Sequence, residues 1–145
     1  MSNYSKILIC LDLTGESDKV AVRARALASN AGASFTLLHV VEYVPVEPMG
    51  EALLPAVQIE GELVERATTR LAEFSARLGF EQSERLVLTG NIKSEVVRVA
   101  QERGIDLIVI GSRERHGVSI LFNFTEDTVL HAAPCDVLAV RIQKS

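Results

Sequence analysis

At 145 residues, with 48% hydrophobic and 23% charged side chains, the chain fits one hydrophobic core rather than two. Its formal net charge of -4 gives no general attraction to nucleic acid or to an anionic membrane, so neither is expected as a partner. No apolar run approaches the ~18 residues needed to cross a bilayer, and Met1 to Tyr4 lacks the basic and apolar regions of a signal peptide, which makes cytoplasmic residence the expectation.

Lys6 to Leu13, KILICLDL, is mostly apolar and free of Gly and Pro, which suits a first strand buried on both faces. Thr14 and Gly15 break it. Ser17 to Ala31 then places Val20, Ala24, Leu27, Ala28 and Ala31 at helical spacing, with Gly32 as the stop. Ser34 to Val41, SFTLLHVV, is the second strand, completing a βαβ unit with a right-handed crossover. From Glu42 to Ala56, Pro45, Pro48, Gly50 and Pro55 predict a long loop that no regular element crosses unbroken. Loops of that length usually carry function. Ile59, Leu63, Ala67, Leu71, Phe74 and Leu78 recur at intervals of three or four, an amphipathic helix ended by Gly79.

Arg85 to Thr89 reads as the third strand, and Asn91 as the N-cap of a helix whose inner face carries Ile92, Val96, Val99 and Ala100, closed by Gly104. Leu107 to Ile110 is a fourth, buried strand, after which a loop opens at Gly111. A short helix from about Thr125 to Ala132 and a last strand from Val137 to Ile142 follow. Regular alternation of strand and helix implies one α/β domain, residues 1–145, with a parallel sheet covered on both faces. Cys10 and Cys135 lie in or beside apolar strands without metal-ligand spacing and read as buried structural thiols.

The segments LICLDL, LLHVVE, DLIVIGSRERHG and APCDVLAVR resemble the universal stress protein family from Lys6 to Arg141. Asp12 closing strand one, His39 and Val40 in strand two, and Gly111 and Ser112 leaving strand four carry the resemblance most specifically. It implies an open five-stranded sheet of order 3-2-1-4-5, Rossmann-type and similar to the adenine nucleotide alpha hydrolases. Asp12, Val41 and Gly111 then converge on the crevice where the strand order reverses. The nucleotide-contacting residues that the resemblance and the loop suggest are Asp12, Val41, Gly111, Ser112, Arg113, Arg115, Gly117 and Thr125, with ATP and magnesium as the corresponding ligand.

Family members that bind ATP carry a motif similar to G-x-x-G followed further on by G-S or G-T. Gly111 matches, but Glu114 stands at the second glycine, and Asn123 and Phe124 at the terminal pair. Glycines serve there because backbone N–H groups must approach phosphate closely, often at positive φ. Glu114 adds repulsion of about 2 to 3 kcal/mol if its charge lies about 6 Å from a phosphate at an effective dielectric near 20. Asn123 to Glu126 has the form of a helix start that supplies its own cap and anion.

Arg113, Arg115 and His116 either grip phosphate through side chains or form a solvated loop around Glu114. Asp12 either hydrogen-bonds a purine or ribose or caps the turn that follows. His39 reads as a satisfied core histidine, and His131 on the last helix has no partner evident in the sequence. No catalytic set or metal cluster assembles, Ser112 with His116 being the nearest approach. The expectation is a non-enzymatic stress-response homodimer, paired through the edge strand Val137 to Ile142, with ATP binding weak or lost and no resident cofactor or metal. The alternative is a sensor that still binds ATP, ADP or AMP.

Overall fold

Ile7, Leu8 and Ile9 are all fully buried. Ile7 and Ile9 pack against one face and Leu8 against the other, which is why a strand covered on both sides needs an unbroken apolar run. This strand, β1 (Lys6–Cys10), is the middle of a five-stranded sheet. β2 (Ser34–Val41) and β3 (Glu84–Thr89) lie on one side of it, and β4 (Leu107–Arg113) and β5 (Asp136–Ile142) on the other. The order is β3-β2-β1-β4-β5, with every neighbouring pair parallel, in agreement with the fold expected from the sequence. The computed structural model describes residues 4–15, 17–28, 32–42, 53–113, 129 and 131–142.

Helices α1 (Ser17–Ala26) and α2 (Leu53–Leu78) cover the face that holds Ile7 and Ile9, through Val20, Ala21, Ala24, Ala67, Leu71 and Phe74. Helix α3 (Ile92–Glu102) covers the opposite face with Val96, Val99 and Ala100, and Val129 joins it there. The chain therefore winds outward from β1 to β3 beneath one layer, crosses over, and returns to β4 beneath the other. Its direction reverses between β1 and β4, the position at which open parallel sheets leave a crevice.

Several boundaries differ from those expected. β1 stops at Cys10 instead of Leu13, because Leu13 takes a left-handed backbone at φ 60 and turns the chain toward α1. Leu11 and Leu13 stay buried, so their hydrophobicity reads as strand although the backbone turns away beyond Leu11, whose N–H still donates to Leu38 O at 2.9 Å. α1 ends at Ala26, not Ala31. Leu27 N–H and Ala28 N–H bond back three residues, to Ala24 and Arg25, tightening the last turn, and Ala28 then bridges to Tyr4. Gly32 is thus not the stop, and residues 29–31 lie outside the described chain.

α2 begins at Leu53, inside what the prolines suggested was loop. Pro55 sits in its first turn, where an N–H has no helical partner to lose. Ile59 is 46% exposed, so the inner face of α2 begins at Leu63. Residues 43–52 of the expected loop lie outside the described residues. Asn91 does cap α3: its Oδ1 accepts from Ser94 N–H at 3.0 Å, and Glu42 Oε2 accepts from Ile92 N–H at 3.0 Å. β3 and β5 each begin one residue earlier than expected, at Glu84 and Asp136. Of the last helix, residues 129, 131 and 132 are helical and its start is outside the described chain. No helix among the described residues is long and apolar enough to cross a membrane.

Candidate functional site

The end of β1 sets the geometry of the crevice. Cys10 pairs with Leu38 of β2 and with Ile110 of β4. Beyond that level β2 runs on from Leu38 to Val41 and β4 from Ile110 to Arg113, three more residues each. The central strand therefore stops about 10 Å short of its neighbours, at ~3.3 Å per residue. The notch is floored by Leu11 to Leu13 and walled by the tips of β2 and β4.

Asp12 stands exposed at that floor. Its Oδ1 accepts from Thr14 N–H at 3.1 Å, from Thr14 Oγ1 at 2.8 Å and from Ser17 Oγ at 3.0 Å. The first of these closes an Asx turn, and the third ties the carboxylate to the first residue of α1. Of the two roles the sequence left open, the turn-capping one is thus observed directly. Ser17, 1% exposed, is a buried hydroxyl whose partner is this carboxylate, and its N–H also donates to Thr14 O at 3.1 Å.

Two side chains from elsewhere hold the rest of the floor. His39 is half-buried on β2, and its Nδ1 lies 2.7 Å from the Leu11 carbonyl. An acceptor there places a hydrogen on Nδ1. Arg70, on α2, donates through Nη2 to the carbonyl of Leu13, the residue with positive φ. His39 is therefore the satisfied histidine that the sequence suggested, and it also positions the crevice floor.

Val41 ends β2 buried, and its carbonyl accepts from Gly90 N–H at 3.2 Å. Gly111 was expected to open the loop after β4, but Gly111, Ser112 and Arg113 stay in the sheet, paired with Val140, Arg141 and Ile142 of β5. The apolar run ends at Ile110, and β5 continues past it as a backbone partner, which hydrophobicity alone does not register. Val41 and Gly111 lie on the two strands that flank β1, at the same end of the sheet as Asp12. Arg115, Gly117 and Thr125 lie outside the described residues, as do Glu114, His116, Asn123 and Phe124.

Cys10, at the tip of β1, packs against the α3-side core, and burial pushes its thiol up to about 12. Cys135 is also raised, first by burial and then by the Asp136 and Asp106 carboxylates. Both thiols stay protonated at neutral pH and are poor nucleophiles. His131 is exposed and has its own interaction. Thr14 and Ser17 were missed as site residues, although a threonine two places and a serine five places after Asp12 is a legible Asx-turn and helix-start signal. Arg70 was also missed, and a contact between positions 57 apart in the chain leaves no local trace.

Residues 3–141 match the model of the universal stress protein family. The chain belongs to that family. It is 38% identical over its whole length to universal stress protein A homolog 2 of Coxiella burnetii, which it also covers completely. Among solved structures it resembles the universal stress protein UspA of Lactobacillus plantarum, with TM-score 0.72, 23% identity, and 97% and 100% of the two chains covered. It also resembles a universal stress protein solved in complex with cAMP, with TM-score 0.62, 19% identity, and 96% and 98% covered. The universal stress protein fold thus accounts for the strand order, the placement of helices and the position of the notch.

Proposed function

We propose that this chain is a non-enzymatic universal stress protein that works as a homodimer and whose switch-point crevice has a weak or absent grip on ATP. The observation that carries this reading is the state of Asp12. Its Oδ1 is already held by Thr14 and Ser17, so the carboxylate at the crevice floor serves the start of α1. The sequence supports it as well: Glu114, Asn123 and Phe124 stand where ATP-binding relatives place glycine and serine or threonine. Among the described residues at the crevice floor, Cys10 is protonated and Asp12 is tied, and neither is an activated nucleophile.

The homodimer rests on β5. It is an edge of the sheet, Ala139 on it is exposed and Leu138 half-buried, and an open edge of this kind is covered by pairing with a second copy. Ala139→Lys places a charge on the edge and is expected to shift light scattering at micromolar concentration from dimer to monomer. A wild-type chain that is monomeric under the same conditions contradicts the dimer.

The second reading, a sensor of adenine nucleotides, is favoured by the cAMP complex of the related structure and by the notch itself. A nucleotide with one phosphate needs the floor and walls but not the full cradle. Calorimetric titrations with magnesium ATP and with cAMP separate the two. Heat that saturates below millimolar ATP overturns the first reading, and silence with both ligands at millimolar concentration overturns the second.

A further inference from the structure

At the opposite end of the sheet, where the strands begin, lies a cavity of about 620 Å³. The size is in the range of small-molecule sites, which run from ~300 to ~1,000 Å³. It opens between the starts of β1, β2 and β3 and the turn Gly79–Ser83 that ends α2. Gly79 is at φ +79, a left-handed backbone that favours glycine and shapes this turn.

The lining is cationic. Lys6, Arg25 and Arg103 face one carboxylate, Glu84, a local balance of +2 in a chain whose formal net charge is -4. It is also aromatic. Phe35 and Phe80 meet edge to face with centroids 5.2 Å apart, and the Arg25 guanidinium lies 4.0 Å from the Phe80 centroid.

Two of the three cations have structural duties. Arg25 Nη2 donates to the Gly79 carbonyl at 3.1 Å, and Arg103 makes a paired contact with Glu84 at 2.6 and 2.8 Å. The first is the contact a helix C-terminus favours, since its carbonyls carry partial negative charge, and the second is an ion pair to the start of β3. They do not account for Lys6. Its backbone N–H donates to Asp106 Oδ1 at 3.0 Å, while nothing among the described residues bonds its ammonium. Arg25 keeps donors beyond the one given to Gly79, because a guanidinium has five.

We propose that this basal cavity is a second ligand site, taking a small aromatic anion whose acidic group meets Lys6 and Arg25 and whose ring lies against the half-buried Phe35. A carboxylate, sulfonate or phosphate ester on a flat ring matches this combination of cation and aromatic surface. The site is separate from the crevice, from which the length of the sheet divides it, and it stands whether or not the crevice binds a nucleotide.

The test is a nitrogen–proton NMR titration of the full chain with phenyl phosphate. Saturable shifts are expected at the amides of Ser34 to Thr36 and Gly79 to Glu84, with Asp12 and Gly111 unmoved. Phenol and inorganic phosphate, each carrying half of the recognition, are expected to bind about tenfold more weakly. Lys6→Glu is expected to weaken phenyl phosphate binding by about tenfold or more, since it reverses a charge facing the anion. Lys6→Gln, which only removes that charge, is expected to weaken it less and serves if the reversal disturbs the strand. Absence of saturable shifts at these amides, shifts confined to the crevice, or affinity unchanged in the Lys6 variants overturns the proposal.

Discussion

The two ends of the sheet are built from the same parallel strands, yet they present opposite electrostatic problems. At the carboxyl end, β1 stops three residues short of its neighbours and α1 starts there, offering backbone N–H groups to an acceptor. Here the chain places its own Asp12, which accepts from Thr14 N–H and from the Thr14 and Ser17 hydroxyls, while His39 and Arg70 hold the Leu11 and Leu13 carbonyls. At the amino end, α2 and α3 arrive carbonyl-first, and Arg25 and Arg103 reverse the local sign. A helix-rich parallel fold thus gives anion affinity through backbone at one end and only through side chains at the other. In this chain the backbone-rich end is partly satisfied by its own carboxylate, while the other keeps cationic side chains in a cavity.

The largest effect that would break this comparison is at the amino end. Asp106 accepts from Ser5 N–H at 2.9 Å, Ser5 Oγ at 3.2 Å and Lys6 N–H at 3.0 Å, fixing the start of β1 beside β4. Asp106→Ala is expected to lower unfolding stability in urea by about 1 to 2 kcal/mol, the scale of a lost charged acceptor whose donors, on Ser5 and Lys6, are exposed. A loss below about 0.5 kcal/mol would mean that water replaces the carboxylate.

At the carboxyl end the corresponding change is smaller. Asp12→Ala is expected to cost about 1 kcal/mol, the usual worth of a cap, and Asp12→Asn only a few tenths, because an amide oxygen can still accept from Thr14 and Ser17. Equal losses in the two variants would show that the charge of Asp12, and not its acceptor geometry, holds the turn.

The smallest effect concerns Glu84. The Arg103 guanidinium, through its hydrogen bond, holds the Glu84 carboxyl below its ordinary value. A depressed folded value means that the pair's stabilisation is present above the ordinary glutamate range and is lost as pH falls through the lowered value. With the Glu84 side chain 47% exposed, solvent screening limits this to less than about 1 kcal/mol. Glu84→Gln is expected to flatten the acid limb of the stability curve by that amount. It is also expected to tighten phenyl phosphate binding at the basal cavity about two- to threefold, by removing the one anion in its lining. A weakening there would set the comparison of the two ends aside.

How far the sequence revealed these features depended on how local their causes are. The strands were legible because Ile7 to Ile9 and Leu107 to Ile110 must be apolar on both faces, and Asn91 was legible because a cap lies three residues from the N–H it satisfies. The strand order came through motif resemblance, since period and length carry no record of which strand lies beside which. The β1 boundary was misplaced because Leu13 is buried after a positive φ has turned its backbone out of the sheet. The β4 boundary was misplaced because Gly111 to Arg113 are paired without an apolar signature. In the crevice, Asp12 was found and its partners were not, and Arg70 and His39 reach the floor across long stretches of chain. The basal cavity left no motif, since Lys6, Arg25, Phe80 and Arg103 come from separate elements and meet only in the fold.

The central claim is that the altered loop positions, and not the crevice as a whole, weaken the grip on ATP. Calorimetric titration with magnesium ATP of the triple variant Glu114→Gly, Asn123→Gly, Phe124→Ser, beside the wild-type chain, tests it most directly. Removing the Glu114 repulsion alone is worth roughly a hundredfold at most, so the account predicts a clear gain in affinity over a wild-type chain that shows weak or no binding. A folded triple variant that binds no better than wild type, or a wild-type chain that already binds below millimolar ATP, contradicts it.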